Sequence, residues 1–274
     1  MMPGLLELLF FLAIWVIVPL GFRFLPESRP LGLARRLQPA AAALATFSFF
    51  LSKGPLAAAL AGPWLVLDGL LALAALVVLR SSLRGGIPAL LLLGAMGLPT
   101  VGGVNLVASR WGYPLAGFPE PIILLTAIHF HYTGFAAPIL ASLAGRSALA
   151  RVSGLGLIGG TPLLAAGFLF SPVLKAFGVG ILCVSVLGIA LGQLALVPTL
   201  PDRRARILLS LSSLAAIAGM ILAAIYEHGF YTGRTWISIP RMAWSHGIFN
   251  GVGFSLSGLI AWALSGRRTT ADPP

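Results

Sequence analysis

Two of the four histidines stand two residues apart in the run His129-Phe130-His131-Tyr132-Thr133-Gly134-Phe135. Imidazole changes charge near neutrality, so histidine is the usual acid, base or metal ligand at physiological pH. The other two are His228, directly after Glu227, and His246, four residues before Asn250. A spacing of four places His246 and Asn250 on one face of a helix. Asp68 stands alone in a long apolar stretch, and in such a medium a carboxylate must be either neutral or paired. Together these side chains could supply an acid, a base and orienting hydrogen bonds.

The elements that must position them follow from composition. The chain has 274 residues, 58% hydrophobic and 9% charged, too few charged groups to cover a water-exposed surface. We read an all-α, polytopic transmembrane helix bundle: a single helical domain over 1–265 and a short polar cytoplasmic tail over 266–274. The net charge of +11 does not mark a nucleic-acid partner, because the Lys and Arg residues are scattered between apolar runs. Cys183 is the single cysteine, which leaves no disulfide framework and no multi-cysteine metal site. The first apolar run, 5–22, lacks a basic leader and a cleavage site, and is expected to remain as a spanning helix.

A span needs about 20 apolar residues, and hydrocarbon tolerates only helices or closed barrels. The runs lack period-2 alternation, so they are helices, with nine candidates at 4–23, 38–53, 55–80, 86–108, 121–144, 152–174, 176–199, 206–227 and 244–265. Lys53-Gly54-Pro55 is either a turn between two spans or a kink in one, which leaves eight as the other count. Cytoplasmic loops carry the excess of basic residues. Alternate loops and the C-terminal end hold Arg23, Arg29, Arg35, Arg36, Arg80, Arg84, Arg146, Arg151, Arg203, Arg204, Arg206, Arg267 and Arg268. The others hold Lys53, Arg110, Lys175, Arg234 and Arg241, a split of 13 against 5 among the 18 basic residues. The expected orientation is N-terminus outside and C-terminus cytoplasmic.

With that topology the polar residues of the fourth, fifth, eighth and ninth spans meet in the outer third of the membrane. Asp68, His129, Glu227 and His246 are the candidate catalytic groups, and Asn105, Arg110, His131, Tyr132 and Asn250 the candidate substrate contacts. Each has a plainer structural reading. His246 with Asn250 and Gln193 could simply bond between helices, and His228 could end a solvated helix. Arg110-Trp111-Gly112-Tyr113 fits an anchor at headgroup level. The glycines at 154, 156, 159, 160, 251, 253 and 258 fit close helix contacts. On a regular helix His129 and His131 point to nearly opposite sides, so one faces the site and one packs, unless the helix is distorted. His129 shares its face with Tyr132 and Thr133 and is the one expected on the polar side. The last outer loop, 229–243, is long enough for a lid.

The run 129–135, followed by Ser245-His246-Gly247-Ile248-Phe249-Asn250-Gly251-Val252-Gly253-Phe254, resembles the YndJ-like bacterial membrane proteins. The resemblance implies a multi-pass protein of the bacterial inner membrane and weight on His129, His131, His246 and Asn250, without naming a reaction.

Two classes of function fit. An enzyme would use the cluster for acid/base isomerisation, cyclisation or hydration of a lipophilic substrate, terpenoid or polyketide-like, arriving from the bilayer. A transporter would use the same groups as a proton or substrate pathway, but the polar residues thin out toward the cytoplasmic side and no internal repeat is visible. The enzyme is the leading expectation. It needs no cofactor and has a lipophilic small molecule and membrane lipid as partners. A metal variant would draw on the four histidines and Glu227, although no compact ligand spacing is present. The sequence leaves the oligomeric state open.

Overall fold

The computed structural model describes residues 4–266; the tail expected beyond Gly266 lies outside the described residues. Among them there are nine long helices and no strand: α1 Leu5–Phe24, α2 Arg29–Ser48, α3 Pro55–Ser82, α4 Gly86–Trp111, α5 Ile122–Leu143, α6 Ala148–Phe170, α7 Pro172–Thr199, α8 Arg203–Tyr231 and α9 Ile239–Leu264. All but α2 are long and apolar enough to cross a membrane, so eight helices meet that standard. α2 has the length, 20 residues, but Arg29, Arg35 and Arg36 dilute its first half.

Cap chemistry moved three helix starts away from the edges of the hydropathy runs. α2 begins at 29 instead of 38 because Ser28 accepts from Leu31 N and Pro30 occupies the first turn. α7 begins at Pro172, capped by Ser171, which accepts from Leu174 N. That start places Lys175 inside the helix and not in a loop. α9 begins at Ile239 with Pro240 in its first turn, which shortens the expected lid to 232–238. Trp236 N there donates to Arg234 O, and Arg234 N to Gly229 O. Lys53-Gly54-Pro55 is a turn, with Gly54 N bonded to Arg110 O at 2.9 Å.

The described residues form two compact units, one of residues 4–86 with 92–136 and one of 87–91 with 137–266. In the first, α2 pairs with α3, α3 with α4, α4 with α5, and α1 packs on α5. α2 also runs antiparallel to α1: Arg35 donates to Phe22 O, Gln38 to Ile14 O at 2.7 Å, and Phe49 packs tilted against Phe10 and edge-on against Phe11. In the second, α6 pairs with α7, α7 with α8 and α8 with α9. The glycines largely do what was expected: Gly154 seats Leu91, Gly160 seats Ile181 and Leu182, and Gly258 seats Leu140, whereas Gly159 meets nothing within 4 Å. Gln193 accepts from Ser213 at 3.5 Å, the helix-to-helix bond its position suggested.

Three helices contain π turns, at Ala13–Ile17, Tyr132–Ala136 and Phe249–Leu256. Two of these begin inside the two sequence motifs. A π turn widens the helix by one residue and leaves carbonyls in need of donors. Ser255 supplies one to Asn250 O at 2.7 Å and Ser257 another to Val252 O at 3.1 Å.

Candidate functional site

In the first unit the site is built on α3, α4 and α5. Trp64 and Asp68 are four apart on α3 and share a face. Both are fully buried, as is His131 on α5. The imidazole is held at both nitrogens. Nδ1 is 2.7 Å from Ala127 O, one turn back on its own helix, and Nε2 is 2.8 Å from Trp64 Nε1. An indole N–H only donates and a carbonyl only accepts, so the ring is neutral, with its proton on Nδ1 and its Nε2 lone pair taken by Trp64. Asp68 Oδ2 lies 3.6 Å from that same Nε2. Neither Asp68 oxygen has a hydrogen-bond partner, an arrangement that costs free energy in any apolar interior.

Close approach of α4 makes the packing possible. A Cβ at Gly102 would stand 2.9 Å from His131 Nδ1 and Cε1, and one at Gly103 would stand 2.6 Å from Asp68 Oδ2. Phe10 closes the ring edge-on, with centroids 5.6 Å apart. Thr100 donates to Asp68 O at 3.2 Å, which ties α4 to α3 at this level.

The other expected contacts are placed as follows. Tyr132 donates its hydroxyl to Leu9 O at 2.9 Å, across to α1. Asn105 bonds Val101 O on its own helix at 2.8 Å. Arg110 is buried and clasps the end of α2, donating to Ser48 O and Leu51 O at 3.0 Å each, with its guanidinium 4.6 Å from the centroid of Phe49. Trp111 and Tyr113 beside it are exposed, as an anchor requires. Gly112 ends α4 in the left-handed region at φ 82°, where a side chain would be strained. His129, half-buried on α5, was expected on the polar side, but the histidine that meets Asp68 is His131.

The remaining candidates belong to the second unit. His246 Nδ1 is 2.9 Å from Gly219 O on α8, and Asn250 donates to His246 O at 2.8 Å. The carbonyl partner fixes the proton on Nδ1 and leaves Nε2 as an oriented lone pair. Glu227 pairs with Lys175 at 3.2 Å, both largely buried. His228 packs edge-on against Trp236, 6.1 Å between centroids. The structure thus brings Asp68 to His131, and His246 to Asn250, and gives Glu227 a lysine. Among the described residues no group of three or more His, Cys, Asp or Glu is placed to hold a metal ion.

Trp64 and Lys175 were not anticipated. Trp64 could have been found from its spacing of four to Asp68, and Lys175 from the Ser171-Pro172 cap that draws it into a helix.

A family model described as YndJ-like protein matches residues 8–254, which takes in both motifs and every candidate residue. The chain belongs to the YndJ-like family. It is similar to the uncharacterized membrane protein YndJ of Bacillus subtilis (strain 168), 30% identical over 158 residues, or 55% of this chain and 28% of that protein. The alignment therefore spans little more than a quarter of that relative's length. No solved structure matches. The family places the chain among membrane proteins, and the two motifs that suggested it are the two that end in π turns.

Proposed function

We propose that this YndJ-like chain is a proton-coupled transporter of a small molecule in the bacterial plasma membrane, and that Asp68 and His131 form its proton-binding element. The observation that carries this reading is the buried pair: a carboxyl group with no hydrogen bond, 3.6 Å from an imidazole, in helices apolar enough to span the bilayer. Ionisable groups at such depth mark proton relays and substrate paths. Neither side chain exposes any surface, and Gly102 and Gly103 press on both. A general acid must come within about 3 Å of the atom it protonates, and this packing leaves a substrate no such approach to the pair. The antiparallel course of α2 along α1 supports a ninth crossing, and with it an external N-terminus and a cytoplasmic C-terminus.

Reconstitution into liposomes with an internal pH-sensitive dye tests the reading. Wild type and Asp68→Asn are challenged with a panel of lipophilic cations, anions and neutral amphiphiles. Proton movement that depends on a compound and vanishes in Asp68→Asn is the expected result. Movement that persists in the variant, or none with any compound, overturns it.

A second reading rests on His246. With Nδ1 held by Gly219 O, its Nε2 is oriented as a base on a half-buried side chain, suited to isomerisation, cyclisation or hydration of a lipophilic substrate. Conversion of such a substrate by the purified protein, lost in His246→Gln and kept in Asp68→Asn, would favour it.

A further inference from the structure

Within the second unit, a lysine ammonium sits where an apolar protein would be expected to exclude one. Lys175 follows the start of α7 by a few residues and is almost fully covered, as is Glu227 near the end of α8. Their nitrogen and oxygen lie 3.2 Å apart. The ammonium also stands 3.3 Å from the centroid of Phe230 and 5.5 Å from that of Phe168. Two ring faces and a carboxylate are the components with which proteins recognise organic ammonium groups. A buried pair alone would be costly, because desolvation of both charges offsets their attraction. The second oxygen of Glu227, Oε1, is buried with no partner, so the carboxylate has capacity that Lys175 does not use.

The location fits a ligand arriving from the membrane interface. Phe168 is near the end of α6, which stops at Phe170, and Glu227 and Phe230 are in the last turns of α8. Gly167 brings the α6 backbone directly against Lys175, where a Cβ would collide with it. The lysine backbone is therefore fixed, while its side chain, four carbons long, can swing away and leave the cage standing.

We propose that Phe168, Phe230 and Glu227 form a binding site for an organic ammonium group, and that Lys175 is a tethered occupant which the ligand displaces. The ammonium belongs either to a free amphiphilic amine or to an ethanolamine lipid headgroup. The inference does not depend on the Asp68 and His131 reading, whose residues lie in the other unit.

Chemical rescue tests it. Lys175→Ala vacates the cage and strands Glu227, and the purified variant of the 274-residue chain is expected to melt well below wild type. n-Butylammonium should restore most of that loss and bind at least about tenfold tighter than n-butanol, the ratio expected of a desolvated cation–π contact. In Lys175→Ala/Glu227→Gln neither compound should act. In wild type, n-hexylammonium should show saturable binding by ligand-observed NMR. That binding should disappear in Lys175→Met/Glu227→Leu, where apolar side chains of similar volume preserve the fold. Absence of rescue overturns the proposal. Rescue without wild-type binding overturns it as well, since the pair would then be a fixed brace. Where wild type binds, competition by phosphatidylethanolamine in phosphatidylglycerol nanodiscs assigns the lipid source, and its absence assigns the free amine.

Discussion

Trp64→Phe isolates the hydrogen bond that sets the state of the buried imidazole. Phenylalanine keeps most of the ring and removes the indole donor to His131 Nε2, 2.8 Å away. A typical intramolecular hydrogen bond contributes about 1 kcal/mol, and an acceptor left unsatisfied in the interior costs about 1–3 kcal/mol. Interhelical bonds in membranes run lower, about 0.6 kcal/mol on average and up to about 1.7, because the unfolded reference finds other partners. Trp64 and His131 expose no surface at all, which puts this bond at the upper end. The expected loss is about 1.7 kcal/mol, roughly a twentyfold shift in the unfolding equilibrium. Reversible unfolding in mixed micelles measures it, with the exposed Trp111→Phe as a control expected within about 0.5 kcal/mol of wild type. Nitrogen-15 NMR of histidine-labelled protein reads the tautomer directly, with the His131 signal assigned by substitution. Wild type should carry its proton on Nδ1, and Trp64→Phe should leave Nε2 without that donor, facing Asp68 Oδ2 at 3.6 Å. A loss below about 0.5 kcal/mol in Trp64→Phe, or a wild-type His131 protonated on Nε2, would refute the assignment.

Two further outcomes follow from the packing and the topology. Gly102→Ala and Gly103→Ala should each destabilise by about 1–3 kcal/mol, since the new methyl group meets His131 or Asp68 at under 3 Å. Gly69→Ala, which meets nothing within 4 Å, should be neutral or gain up to about 1 kcal/mol from helix propensity; thermal unfolding of the three variants separates the cases. In intact cells, Lys53→Cys should react with a membrane-impermeant maleimide and Arg84→Cys only after permeabilisation. The opposite pattern would reverse the proposed orientation.

Much of the architecture was legible because lipid is a demanding solvent. Each apolar run long enough to cross must satisfy its own backbone, so hydropathy alone delivers helices, and eight of the nine expected spans have counterparts that meet the length and composition required. The second was misplaced because its first half is polar. Its start is set by Ser28 and Pro30, a local signal that a hydropathy window averages away. The same averaging hid Lys175, which Ser171 and Pro172 draw into α7.

Residue types and spacing determined that Asp68 must be neutral or paired, that the two motifs resemble the YndJ-like family, and that His246 and Asn250 share a face. Tertiary structure decided the partners. A shared face with Tyr132 and Thr133 suggested His129 for the polar side, yet both histidines lie on the regular stretch Ile122–His131, and the packing of α3 and α4 against it turns His131 to Asp68 and Trp64. Glycines at 102 and 103 let α4 close over that pair, and Gly167 lets α6 lie against Lys175. Hydropathy and caps are properties of neighbours along the chain, so sequence states them. The rotation of one helix against another is fixed only when all the side chains between them pack at once, and that rotation selects which polar groups meet.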